Sequence, residues 1–163
     1  MKDKNIKYSV VIPVFNSEEI IERTVKNTLS AFVSFKLKVE IILINDGSND
    51  NSWDVIKNLA KENLEVKSFN LLKNYGQHTA VFCGIQKASG DFLVTLDDDL
   101  QNPPQEIIKL INKINEGYDL VFAEFISKKH SGYRKLGTKL INYLNIKIFN
   151  KPKNIILINF RIF

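Results

Sequence analysis

The sequence predicts an α/β domain with a mainly parallel central sheet, and three observations carry the prediction. Strand-length apolar stretches alternate with segments of helical periodicity from one end of the chain to the other. With its one charged residue, Glu40, set aside, Val39 to Ile44 reads as a continuous apolar run, as expected of a strand covered on both faces. Polar clusters follow the apolar runs at Pro13 to Ser17, Asn45 to Asp50 and Asp97 to Gln101, which places all three at the carboxyl ends of strands.

Tyr8 to Val14 is the first expected strand. Asn16 to Glu19 has capping-box spacing, and Ile21, Val25, Leu29 and Phe32 supply one apolar face of the helix that follows. The strand Val39 to Ile44 breaks at Asn45-Asp46-Gly47-Ser48, where Asp50 or Ser48 can cap a helix carrying Trp53, Ile56 and Leu59. A third strand is expected over Val66 to Leu71. The helix after it starts near Gly76, and its small residues Ala80, Gly84 and Ala88 favour close packing on the sheet. Gly90-Asp91 turns into a fourth strand, Phe92 to Leu96. Asn102 then serves as N-cap with Pro103 at the first helical position, and Ile107, Ile108, Ile111 and Ile114 form the buried stripe. Tyr118 to Glu124 reads as a fifth strand, residues 133–149 as an amphipathic basic helix, and Asn154 to Phe163 as a last strand. Domains rarely finish on an apolar strand, so the single domain over 1–163 is expected to be truncated at its C-terminus.

Composition narrows the function. The chain has 163 residues, 44% of them hydrophobic, enough for one domain with a core. Its one cysteine, Cys83, excludes an intramolecular disulfide and reads as a small packing residue. No signal peptide is evident, and no apolar run approaches the ~18 residues of a membrane span, which points to the cytoplasm. Residues 125–163 hold nine Lys or Arg and no acidic residue, whereas the first 124 carry 14 basic and 18 acidic groups. Such a basic segment can attract an anionic membrane surface or a phosphorylated substrate, or can be a solvated helix face. Nucleic acid is not an expected partner, because no aromatic interleaving or recognised motif accompanies the charge.

The chemistry centres on Leu93 to Pro104, where an apolar strand runs into three carboxylates. If the chain stays extended, Asp97 and Asp99 share a face, Gln101 follows them and Asp98 points away. Two carboxylates on one side repel unless a cation lies between them, and oxygen ligands suit Mg or Mn. The alternative is a solvated acidic turn. The glycine patterns of dinucleotide and P-loop sites are absent, so a metal would have to offset a diphosphate.

Four segments carry a resemblance: Val10-Val11-Ile12-Pro13-Val14-Phe15-Asn16, Asn45-Asp46-Gly47-Ser48, Lys73-Asn74-Tyr75-Gly76-Gln77-His78 and Asp97 to Pro104. They resemble family 2 glycosyltransferases, and among these the polyprenyl-phosphate glycosyltransferases. The resemblance implies a three-layer, Rossmann-like nucleotide-diphospho-sugar transferase (GT-A) fold. It implies Mg or Mn on Asp97, Asp99 and Gln101. A nucleotide-diphosphate sugar would be held by Pro13, Phe15, Asn16, Asp46, Ser48, Lys73, Gly76, Asp97 and Asp98, with Asp99 and Arg134 in catalytic roles and Arg161 as a further phosphate contact. It also implies inverting transfer to a polyprenyl phosphate at the inner face of a membrane. A soluble transferase acting on a saccharide or glycan, and a non-catalytic nucleotide-sugar-binding fragment, are the alternatives. His78 can cap its helix or touch the donor. The chain departs from the pattern at Ser17, where the family usually has Glu, at Asn45, where it has Asp, and at Ile155, where relatives tend to carry Asp.

Overall fold

Strands β1 (Lys7–Val14), β2 (Lys38–Asn45), β3 (Val66–Asn70), β4 (Phe92–Thr95), β5 (Val121–Phe122) and β6 (Arg161–Ile162) combine with helices α1 (Ile21–Ser34), α2 (Ser52–Glu62), α3 (Gln77–Lys87) and α4 (Ile107–Ile114). The computed structural model describes residues 6–100, 103–123 and 160–163. The strands form one sheet in the order β3-β2-β1-β4-β6-β5. The first four in that order are parallel, and β6 runs antiparallel to both β4 and β5. The fold is therefore α/β with a mainly parallel sheet. Residues 6–122 and 160–163 belong to one compact unit, and of a second unit, 123–158, only Ala123 is described.

The pleat of β1 sorts its side chains between two helical layers. Tyr8, Val10 and Ile12 face one way, and the Tyr8 ring lies 5.8 Å from Phe32 of α1. Val11 faces the other way, in a cluster with Ile42, Ile44 and Ala80 of α3. Gly84 makes the second contact possible. A Cβ there would sit 2.3 Å from Val11 Cγ1, so α3 lies against the sheet at a distance only glycine permits. Cys83 is half-buried against the same cluster.

The lower edge of the sheet is held by a residue that the apolar reading of β2 overlooked. Glu40 is 2% exposed. It accepts hydrogen bonds from Ser9 Oγ at 2.6 Å, the Ser89 amide at 2.6 Å and Lys67 Nζ at 2.7 Å, and lies 3.0 Å from Lys7 Nζ. Burial alone would raise its carboxyl, but these donors together hold it well below the usual carboxylate range.

Several local expectations are corrected. No capping box forms at Asn16, because its Oδ1 accepts from the Asn49 amide and the first turn of α1 is closed by the Ser17 carbonyl. The buried face of α1 is Ile21, Thr24, Val25, Thr28, Ala31 and Phe32, with Leu29 only half-buried. Pro103 precedes the helical segment; a short 3-10 turn, Pro104–Glu106, opens it. The fifth strand shrinks to two residues, since Tyr118 and Leu120 stay exposed. Asn102 and the helix expected over 133–149 lie outside the described residues, as does the last expected strand before Phe160.

Candidate active site

Strand order reverses at the β1/β4 boundary, and such a switch point opens a crevice at the carboxyl ends of the strands. Pro13 is buried in β1, where the β4 ladder has already ended at Val11, so its missing N–H breaks no pairing with β4. Just beyond, Phe15 is exposed and Asn16 takes a left-handed φ of 51°, a conformation that asparagine tolerates. The loop is fixed from the β2 side. Asn16 N–H donates to Ser48 Oγ at 3.0 Å, and Ser17 N–H donates to Ser52 Oγ at 2.8 Å. Asn45 explains its own departure: its amide nitrogen donates to Asn70 Oδ1 at 2.7 Å while its oxygen accepts from Ser48 at 2.5 Å. An aspartate could not make the first of these bonds.

Asp46 is 3% exposed and accepts the Tyr75 amide at 2.8 Å on Oδ1. This bond draws the loop before α3 over the Asp46-Gly47 turn. Lys73 and Tyr75 are exposed there, with Lys73 Nζ 5.3 Å from the Tyr75 ring centre. Gly76, at φ 90°, begins α3 without crowding any neighbour, and His78 is exposed.

The acidic loop differs from the extended segment the sequence suggested. Strand β4 stops at Thr95, and Asp98 and Asp99 occupy a turn. Asp98 swings back across the switch point. Its Oδ2 accepts from Ser17 Oγ and, at a longer 3.4 Å, from the Phe15 amide, while its carbonyl accepts from Thr24 Oγ1 at 2.8 Å. Burial pushes the Asp98 carboxyl up, a shift these hydrogen bonds only partly offset. Asp97 is half-buried and accepts from Gln77 Nε2 at 2.6 Å, and Asp99 is exposed.

The profile described as Glycosyl transferase family 2 matches residues 9–162. The chain belongs to glycosyl transferase family 2. Similar solved structures share its fold at low identity. Glucosyl-3-phosphoglycerate synthase from Mycobacterium tuberculosis, in complex with Mn2+, UDP and phosphoglyceric acid, matches with TM-score 0.72 and 21% identity over 97% of this chain and 55% of that one. S. aureus TarS 1-349 matches with TM-score 0.56 and 20% identity over 78% and 38%. Mannosyltransferase PcManGT from Pyrobaculum calidifontis, in complex with GDP-Man and Mn2+, matches with TM-score 0.53 and 18% identity over 65% and 32%. The chain thus spans about half the length of the synthase and about a third of the other two.

On this family 2 glycosyltransferase scaffold the three polar clusters meet at one sheet edge, linked by hydrogen bonds. Phe15, Asn16, Asp46, Ser48, Lys73, Gly76, Asp97, Asp98 and Asp99 come from loops at that edge, and Pro13 lies just inside it. Gln101 and Arg134 lie outside the described residues. Arg161 is paired in register with Thr95, and its buried Nε has no hydrogen-bond partner among the described residues. No group of three or more His, Cys, Asp or Glu poised for a metal occurs among them either. That donor set still fits Mg or Mn, which need only one or two carboxylates when substrate phosphates complete the shell. Sequence reasoning gave no role to Ser17, Gln77 or the Tyr75 amide, although it marked their segments, and it did not single out Thr24. Thr24 had a visible signal, being a polar residue on the apolar face of α1.

Proposed function

We propose that the chain binds a nucleotide-diphosphate sugar across the β1/β4 crevice and transfers the sugar, with inversion, to a polyprenyl phosphate. The observation that carries this reading is the convergence of exposed Phe15, buried Asp46 and the Asp97/Asp99 pair at the switch point. Phe15 offers a ring for the base, and Asp46, oriented by the Tyr75 amide, has a second oxygen for the nucleoside. Asp97 and Asp99 would hold Mg or Mn. When bound, the metal would stabilise charge on the leaving diphosphate. The similar structures that contain UDP or GDP-Man with Mn2+ support this choice of donor and metal.

The acceptor half rests on chemistry. A phosphate monoester is largely ionised near neutral pH, with a second pKa of about 6, so it attacks without a general base. Its oxygen bonds to the anomeric carbon as the bond to the diphosphate breaks, and the nucleoside diphosphate leaves with that electron pair. Arg161 would receive the phosphate of the anionic acceptor, and the family resemblance gives Arg134 a catalytic role. A guanidinium nitrogen buried without a partner among the described residues, as Arg161 Nε is, gains most from such an anion. The basic segment 125–163 would draw the protein to an anionic inner membrane face. Among the described residues, no helix is long and apolar enough to cross a membrane.

The test is transfer of radiolabelled sugar to short-chain polyprenyl phosphate in the presence of Mn, followed by organic extraction. Label in the lipid phase is the expected result. Label only in a water-soluble saccharide or glycan would replace the acceptor assignment, and nucleotide binding without any transfer would favour a binding module.

A further inference from the structure

The family's donor chemistry does not account for the way the acidic loop is anchored. Of its three consecutive carboxylates, Asp98 is committed to the β1–α1 segment through both its side chain and its carbonyl. Its partners are Ser17 and Phe15, on the loop that presents the exposed ring, and Thr24, fully buried one turn into α1. Ser17 is the junction. Its hydroxyl donates to Asp98, its amide donates to Ser52 at the start of α2, and its carbonyl accepts the Ile20 and Ile21 amides, each at 3.0 Å. A glutamate at position 17 would set a second carboxylate against Asp98, whereas serine supplies a donor. Next to this anchor, Leu100 holds a left-handed φ of 56°, which persists only where surrounding contacts fix the chain.

We propose that Ser17, Thr24 and Asp98 are positioning residues that couple nucleotide binding to metal binding in this chain. The inference rests on the donor-site reading above. Phe15 and Ser17 belong to the nucleotide side of the crevice, and Asp97 and Asp99 flank Asp98 on the metal side. With Asp98 tied to both, ordering one loop removes freedom from the other, so the second ligand meets a site already arranged. Linkage makes the effect reciprocal: metal tightens nucleotide by the factor by which nucleotide tightens metal. Direct contact between diphosphate and metal adds to the coupling, but it does not depend on Ser17 or Thr24.

Calorimetric titration of the tightest-binding of UDP, GDP and dTDP, with and without saturating Mn, gives the coupling factor for the intact chain. Ser17→Ala removes the donor to the Asp98 carboxylate, and Thr24→Val removes the donor to its carbonyl with little change of shape. Each is expected to lower the coupling factor about fivefold, at the lower end of usual coupling strengths. Ser17→Thr, which keeps a hydroxyl, should retain it. A purely structural role would instead weaken nucleotide equally with and without Mn. The proposal is overturned if Ser17→Ala and Thr24→Val both bind nucleotide and keep the wild-type factor, or if both lose affinity by the same ratio in the two conditions. Absence of any nucleotide binding by the wild type would instead remove the donor-site reading, and this inference with it.

Discussion

The α-carbon of Gly47 faces the backbone of Asn74 so closely that a Cβ there would lie 2.4 Å from the Asn74 amide nitrogen. The loop before α3 can therefore lie directly over the Asp46-Gly47 turn, and the Asp46–Tyr75 bond forms as a result. Gly47 also has a φ of +67°. Gly47→Ala should cost about 2–5 kcal/mol from backbone conformation and overpacking together. A thermal melt checks the stability. Nucleotide titration of the folded variant should show a loss larger than the melt implies, because Lys73 and Tyr75 are displaced with the loop.

Asp46 gives a sharper result. Asp46→Ala leaves the Tyr75 amide without its acceptor, at a cost of about 1–3 kcal/mol if the site stays dry. Asp46→Asn keeps an acceptor oxygen for that amide. Chemical denaturation should place Asp46→Asn near wild type and Asp46→Ala well below it, while both weaken nucleotide binding.

The close approach of α3 to the sheet predicts a compensating pair. Gly84→Ala should destabilise by about 1–3 kcal/mol, because its methyl meets the stiff, buried Val11 side chain. Adding Val11→Ala vacates the space. The double variant should be more stable than the sum of the two single losses, as a double-mutant cycle would record.

Glu40 sets a pH dependence away from the crevice. Its folded-state acidity is stronger than that of an exposed glutamate, whose pKa is about 4.3. It therefore contributes stability above that pH, and the contribution is lost as pH falls through the depressed folded value. Glu40→Gln should be less stable than wild type at pH 7 by about 1.5–3 kcal/mol, the worth of hydrogen bonds to a charged group, because the Lys7 and Lys67 side chains are 36% and 45% exposed and stay solvated without it. The gap should narrow steadily below pH ~4. A constant gap across that range would mean the carboxylate charge is not what stabilises the sheet edge.

Much of this was legible in the sequence because the signals were local. Apolar runs marked β1 to β4, the small residues of α3 announced close packing, and the strand-end clusters named the three loops of the crevice. What escaped was set by contacts between distant segments. Glu40 was absorbed into an apolar run because its partners come from β1, β3 and the turn before β4. The capping box at Asn16 failed because Asn49, 33 residues away, claims the side chain. Alternation along Asp97-Asp98-Asp99 assumed an extended chain, whereas Ser17 and Thr24 bend Asp98 back toward α1. Periodicity can place a residue on a face, but it cannot say which remote donor waits there.

The most direct test of the donor-site account is calorimetric titration of UDP, GDP and dTDP into the wild-type chain and Asp97→Ala/Asp99→Ala, each with and without Mn. The account predicts that at least one nucleotide binds the wild type more tightly with Mn, and that the double variant loses this Mn-dependent gain while keeping its fold. If none of the nucleotides binds, or if the double variant responds to Mn as the wild type does, the crevice is not a metal-dependent donor site.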